Sequence, residues 1–263
     1  MLDFSCMKEE LKAVFRHWPM WVMLGTQDIK LKYRRSSLGP FWITLSMAVT
    51  ITSMGYLYAH LFHMNLGNYF PYLASGLIGW LFISTLLQEG NNAFVESENY
   101  IKNQDSYMSL FLMRVILRNG IIFAHNMLVF IPIMFVFCTG IGLKTLWLIP
   151  GLLIIALNAL LWGIVLATLN TRYRDFSQII TSLIQIIFFI TPVMWMPTLL
   201  PDSLQWIVIY NPANQFLNLI RAPLLNSMVE MHTLLQVALV SVMGFLLCAH
   251  CLKQYKQRIV FWL

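Results

Sequence analysis

Leu146-Trp-Leu-Ile-Pro-Gly-Leu-Leu-Ile-Ile-Ala-Leu-Asn-Ala-Leu-Leu-Trp-Gly-Ile-Val-Leu-Ala-Thr-Leu169 runs for 24 residues without a charge, and Asn170-Thr-Arg-Tyr-Arg-Asp175 follows it at once. A helix crosses the roughly 30 Å hydrocarbon layer with about 20 apolar residues. This stretch therefore reads as a transmembrane helix stopped by a basic loop. Comparable runs lie at about 41–62, 70–88, 119–138, 177–196 and 232–252, so an all-α polytopic membrane protein with six transmembrane helices is expected. None of these limits encloses an Asp, Glu, Lys or Arg.

The basic residues confirm the pattern. Fifteen of the seventeen Lys and Arg fall in four groups: Lys8 to Arg35, Lys102 to Arg118, Arg172 with Arg174, and Lys253 to Arg258. Only Lys144 and Arg221 sit in the alternate connections. Short cytoplasmic loops carry the Lys/Arg excess, which places the N-terminus, two internal loops and the C-terminus on the cytoplasmic side. Composition agrees: 59% of residues are apolar and 11% charged, with mean hydropathy +0.69, against about 25% charged in a soluble domain. A pI near 9.2 is explained by those juxtamembrane loops, and no nucleic-acid partner is expected.

Residues 1–40 form a cytoplasmic segment too basic to cross. Leu11, Val14, Phe15 and Trp18 recur opposite Lys8, Lys12 and Arg16, Pro19 interrupts the run, and a second piece spans Thr26 to Arg35. An amphipathic helix lying in the interface is expected. Residues 89–118 form the largest internal polar loop, with Glu89, Glu96, Glu98 and Asp105, and 253–263 a cytoplasmic tail. Residues 197–231 hold two apolar pieces broken by Asn211-Pro212, each too short to span. A re-entrant or interfacial hairpin on the outer face, between spans five and six, preserves the charge partition. Such backbone must be covered by protein or line a wet cavity. No secretory leader is expected, because the first long apolar run starts only near Phe41 behind basic residues.

Chemistry-bearing clusters are few. Cys248 and Cys251 lie within an apolar helix rather than a βαβ unit and read, like Cys6 and Cys138, as buried small residues. His60 and His63 have metal-compatible spacing but no nearby carboxylate or Cys, and His125 and His250 read as hydrogen-bonded helix residues; no metal site is expected. Ala159, Gly163 and Ala167 make a small-residue face for helix packing. The spans lack the charged relays of ion-coupled transporters, and the chain has no phosphate-binding loop. Any uphill transport must draw on a separate ATPase docked on the basic face. A membrane enzyme acting on lipid-linked sugars would need a polar catalytic cluster, which is missing, so no catalytic residues are expected. An envelope assembly factor is a further class, and co-purification of an ATPase separates it from a permease.

Three motifs carry a resemblance. Asp28-Ile-Lys-Leu-Lys-Tyr-Arg-Arg-Ser-Ser-Leu-Gly-Pro-Phe-Trp42 resembles the entry to the first span of polysaccharide-exporting ABC transporter permeases. Asn170 to Phe176 resembles that family's loop after the fourth span, and Asn211-Pro212 followed by Arg221 its outer hairpin. The similarity covers nearly the whole chain in the same order and is nearest the O-antigen type. Capsule or teichoic acid exporters, and drug or small-lipid exporters of the same fold, are the alternatives.

The resemblance implies a homodimer of permeases in the bacterial inner membrane, carrying two ATP-binding subunits that hold ATP and Mg, with no cofactor in this chain. The dimer would enclose a channel for a lipid-linked polysaccharide. The coupling helix would lie at about Asn91–Gln104, with Asn91, Asn92, Glu96, Glu98, Asn99, Tyr100 and Lys102 meeting the ATPase. A sliding glycan suits many weak contacts with aromatic faces, for which Tyr56, Tyr58, Phe62, Tyr69, Phe70, Tyr72 and Trp80 are candidates. Arg34 and Arg35 are candidates for the lipid carrier's pyrophosphate, since guanidinium groups grip phosphate oxygens bidentately. Arg172, Arg174 and Asp175 would brace the cytoplasmic mouth.

Overall fold

A computed structural model describes residues 5–103, 107–137 and 142–263; Gln104, Asp105 and Cys138 lie outside the described residues. Every regular element among the described residues is helical. The chain opens with α1 (Ser5–Arg16) and α2 (Trp18–Lys32). The break falls at His17, and Pro19 sits in the first turn of α2, where its missing N–H costs nothing. Then come α3 (Phe41–Leu61), α4 (Leu66–Glu96), the short α5 (Glu98–Asn103), α6 (Met108–Val136), α7 (Leu148–Arg172) and α8 (Phe176–Ile190). Short turns, α9 (Trp206–Ile209) and α10 (Pro212–Leu224) lead to α11 (Met231–Trp262).

Among the described residues five helices are long and apolar enough to cross a membrane: α3, α4, α6, α7 with its preceding turn from Leu143, and α11. The expected fifth span, 177–196, is instead the 15-residue α8, about 22 Å long at 1.5 Å per residue. Its chain leaves the helix at Thr191, and Pro192 denies the N–H that a further turn would need.

Two other boundaries move. The expected loop 89–118 is mostly helix: α4 runs on to Glu96 and α6 begins at Met108, leaving α5 as a short piece between them. Glu89, Arg114 and Arg118 lie on helix rather than loop, Glu89 paired with Arg118 across α4 and α6 and Arg114 with Asp28 of α2. The expected tail 253–263 continues α11 as helix through Trp262.

The pillar is α4, which packs against α3, α6, α7, α8 and α10. Two thirds (67%) of its most apolar window is buried, against 28% for α3 and α11. Burial of that kind requires close neighbours. A Cβ on Gly163 would fall 2.8 Å from Leu112 on α6, and one on Gly90 would meet the Gly163 Cα at 3.8 Å. The small-residue face of α7 is therefore where α4, α6 and α7 converge. By contrast α8 has no fully buried residue and lies at the edge of the bundle.

Candidate functional site

The basic residues gather at one end of the bundle, and there the helices are bolted by ion pairs. Arg114 donates through Nε to Asp28 Oδ2 at 2.8 Å and through Nη2 to Oδ1 at 2.6 Å, a fork that ties α2 to α6. Arg118, one turn on, reaches Asp28 at 3.0 Å, Glu89 at 2.9 Å and, more loosely, Glu96 at 3.8 Å. Asn119 Nδ2 donates to Glu89 as well. Two arginines thus bridge three carboxylates on two other helices. The site is partly shielded, the Asp28 side chain being 13% exposed, so the pairs are less screened than surface pairs.

A second bolt holds α1. The carboxylate of Glu10, 1% exposed, accepts from the Ser109 backbone N–H at 3.0 Å and its Oγ–H at 2.8 Å, and faces Lys256 Nζ at 2.7 Å. No side chain of its own caps the N-terminus of α6; Glu10 supplies the anion that the helix dipole favours there. A third contact joins the far ends of α7 and α11. The Arg172 guanidinium lies 5.2 Å from the Tyr173 ring and 5.3 Å from the Trp262 ring. Arg174 and Asp175 beside it are exposed.

Between these bolts sits α5. Glu96, Asn99, Tyr100 and Lys102 are exposed and Glu98 is half-buried. Glu98 bonds Lys102 at 2.6 Å, and that bond holds its carboxyl below the usual range. Asn91 differs from the expectation: at 1% exposed it cannot meet a partner, and its carbonyl accepts from Asn170 on α7. Asn92 likewise turns inward, accepting from Asn170 Nδ2 and Ser177 Oγ. An Asn in a sequence gives no sign of which helix will enclose it.

Arg34 and Arg35 are exposed in the turn after α2. They follow a cleft walled by Lys32, Tyr33, Trp42, Ser46, Thr85 and Glu89.

At the opposite end one further knot replaces secondary structure. The four successive carbonyls of Pro192, Val193, Met194 and Trp195 leave the helical ladder, and each is captured by a side chain. Tyr69 Oη donates to Met194 O at 2.6 Å. Tyr72 Oη lies 2.9 Å from Pro192 O and 3.1 Å from Trp195 O. Arg221, 5% exposed, donates to Pro192 O at 2.8 Å, Val193 O at 3.2 Å and Tyr72 Oη at 3.0 Å. Its guanidinium also stacks 3.9 Å from the Tyr72 ring. Gly76 makes room, for a Cβ there would overlap both Arg221 Nη2 and the Val193 carbonyl. Asn211 caps α10 by accepting from Ala213 and Asn214 N–H, and Pro212 takes the first helical position.

This geometry revises the aromatic lining. Tyr69 is fully buried and, with Tyr72, serves the backbone rather than a channel wall. Phe70 stacks on Phe137, and Trp80 packs at a tilt against Phe188. Tyr56 is exposed and stacks on His60, while Tyr58 and Phe62 are half-buried and stacked together. Among the described residues no group of three or more His, Cys, Asp or Glu has metal-binding geometry.

Residues 20–225 match the family model described as ABC-2 type transporter. The chain belongs to that family. Within it, the chain is similar to the O-antigen export system permease protein RfbA of Klebsiella pneumoniae, 23% identical over 195 residues that cover 73% of this chain and 74% of that protein. It is similar also to the protein of the same name from Myxococcus xanthus, 23% identical over 197 residues with the same coverage. As an ABC-2 transporter it is a multi-pass membrane protein. The ABC-2 match encloses both the Asp28–Arg118 bolt and the Arg221 knot. Glu10 and Lys256 lie outside it.

Proposed function

We propose that this chain is the permease subunit of an ATP-driven exporter that moves a lipid-linked polysaccharide, O-antigen above all, across the bacterial inner membrane. Two copies form the channel and two separate ATP-binding subunits drive it, so the chain has no catalytic activity of its own. The observation that carries this reading is the placement of α5: a short, solvent-facing helix hung between the ends of α4 and α6, whose terminal charges are locked to α2. Force applied to α5 would reach the centre of the bundle through two rigid helices. The O-antigen assignment draws on the names of the relatives.

In this reading the basic end, with both termini, is cytoplasmic. Glu96, Glu98, Asn99, Tyr100 and Lys102 contact the ATPase, while Asn91 and Asn92 hold α4 against α7. The non-helical backbone after α8 stands at membrane depth and is shielded by the Arg221 knot, as a re-entrant hairpin requires. With it α8 completes a sixth crossing. A second copy covers α8, which is too short to span alone and has no fully buried residue. Tyr56, Tyr58 and Phe62 remain as glycan contacts, and Arg34 and Arg35 meet the carrier's pyrophosphate beside the cleft at the end of α2.

The test is reconstitution in vesicles with the ATP-binding subunit and a lipid-linked O-antigen. ATP-dependent appearance of glycan on the far side supports the reading. Transport without that subunit, or failure of the two to co-purify, overturns it.

A further inference from the structure

Helix α1 carries a second surface, on the side away from its buried carboxylate. Glu10, Ala13 and Val14 face the bundle and are buried, and the Glu10–Ser109–Lys256 contacts fix the rotation of α1 about its axis. That rotation puts buried Met7 at the floor of a groove walled by Leu11 and Phe15 and completed by Phe245 of the membrane-length α11. Lys8 and Lys12 line the same groove. The groove follows α1 from residue 7 to 15, about 12 Å at 1.5 Å per residue.

Its chemistry is split lengthwise. One wall is thioether, aliphatic and aromatic, with Phe15 79% exposed. The rim holds Lys8 and Lys12, with Arg16 one turn further, all exposed. None of the three forms an ion pair or hydrogen bond among the described residues. Arg114, Arg118 and Lys256, by contrast, all pair with carboxylates. An apolar trough beside cations at successive turns matches an acyl chain joined to a phosphate. Lysine is a point-charge phosphate binder, and basic residues on an amphipathic helix select anionic lipid.

We propose that the groove between α1 and α11 binds an anionic glycerophospholipid, its acyl chain against Met7, Leu11, Phe15 and Phe245 and its phosphate between Lys8 and Lys12. The bound lipid holds α1 in its seat on Ser109, at the start of the helix that follows α5. This inference does not depend on what the chain transports, and its test involves no transport.

The experiment is native mass spectrometry of the purified full-length chain, titrated with dioleoylphosphatidylglycerol or dioleoylphosphatidylcholine. The wild type retains the phosphatidylglycerol preferentially. Lys8→Gln with Lys12→Gln weakens that binding roughly thirty-fold, at about 1 kcal/mol per basic residue, and leaves phosphatidylcholine unchanged. Phe245→Ala weakens both lipids. Lys144→Gln, at the other end of the bundle, changes neither. Equal retention of the two lipids by the wild type overturns the proposal, as does an undiminished preference in the double variant. Loss of the preference when the ATP-binding subunit is added overturns it too, and assigns the groove to a protein.

Discussion

Replacing Arg221 with Met tests whether one side chain holds the non-helical segment after α8 in place. Methionine keeps most of the stem's volume and removes the fork. Of the two carbonyls that Arg221 serves, Pro192 O keeps its bond from Tyr72, but Val193 O loses its only side-chain donor. An orphaned buried carbonyl costs about 1–3 kcal/mol. The lost cation–π contact at 3.9 Å adds about 2 kcal/mol at a desolvated site. Removing a buried charge returns part of this, so a net loss of roughly 2–4 kcal/mol is expected. At roughly 2–4 °C per kcal/mol for a chain of this size, Tm in detergent falls by about 5–15 °C. Lys, with the charge but no planar fork, restores less than half of that. Thermal unfolding followed by tryptophan fluorescence reads the result, since Trp195 lies in the segment. A Tm within about 1 °C of wild type would refute the reasoning, because it would mean the carbonyls find other donors at no cost.

Gly76→Ala attacks the same knot from α4 and lowers Tm by a similar amount, and combining it with Arg221→Met costs less than the sum of the two, as a double-mutant cycle will show. Asp28→Ala strands the partly shielded Arg114, leaves Arg118 to Glu89 and Glu96, and costs about 2–3 kcal/mol; limited proteolysis should then cut near α2 faster. Tyr100→Ala with Lys102→Glu leaves Tm unchanged but lowers ATPase stimulation at least several-fold in the assembled exporter, and normal stimulation would remove α5 as the coupling element. Tyr56→Ala, Tyr58→Ala and Phe62→Ala together slow glycan export while ATPase assembly persists, measured as surface glycan per folded transporter.

The long apolar runs were legible because crossing a bilayer imposes a length and a composition that few other structures share. Hence α3, α7 and α11 lie where hydropathy puts them. The helix ends were not legible, for a physical reason. Glu89, Arg114 and Arg118 look like loop markers when read singly, and only their pairing, Glu89 with Arg118 and Arg114 with Asp28, lets α4 and α6 carry them as helix. The same holds for Asn91 and Tyr69. Residue type suggested a partner surface and a channel wall, but the distances that enclose them, to Asn170 and Met194, join residues 79 and 125 apart in the chain. The seat of α1 was invisible too, since nothing near Glu10 in sequence announces Ser109 or Lys256.

That seat has a consequence for biosynthesis. Glu10 is made 246 residues before its counter-ion Lys256. At about 5–20 residues per second, the carboxylate waits roughly ten to fifty seconds for its partner. Until then the seat has only its Ser109 half, and the carboxylate stands without its counter-charge. A chain that terminates within α11 before Lys256 therefore keeps the Ser109 half of the seat and lacks its counter-charge.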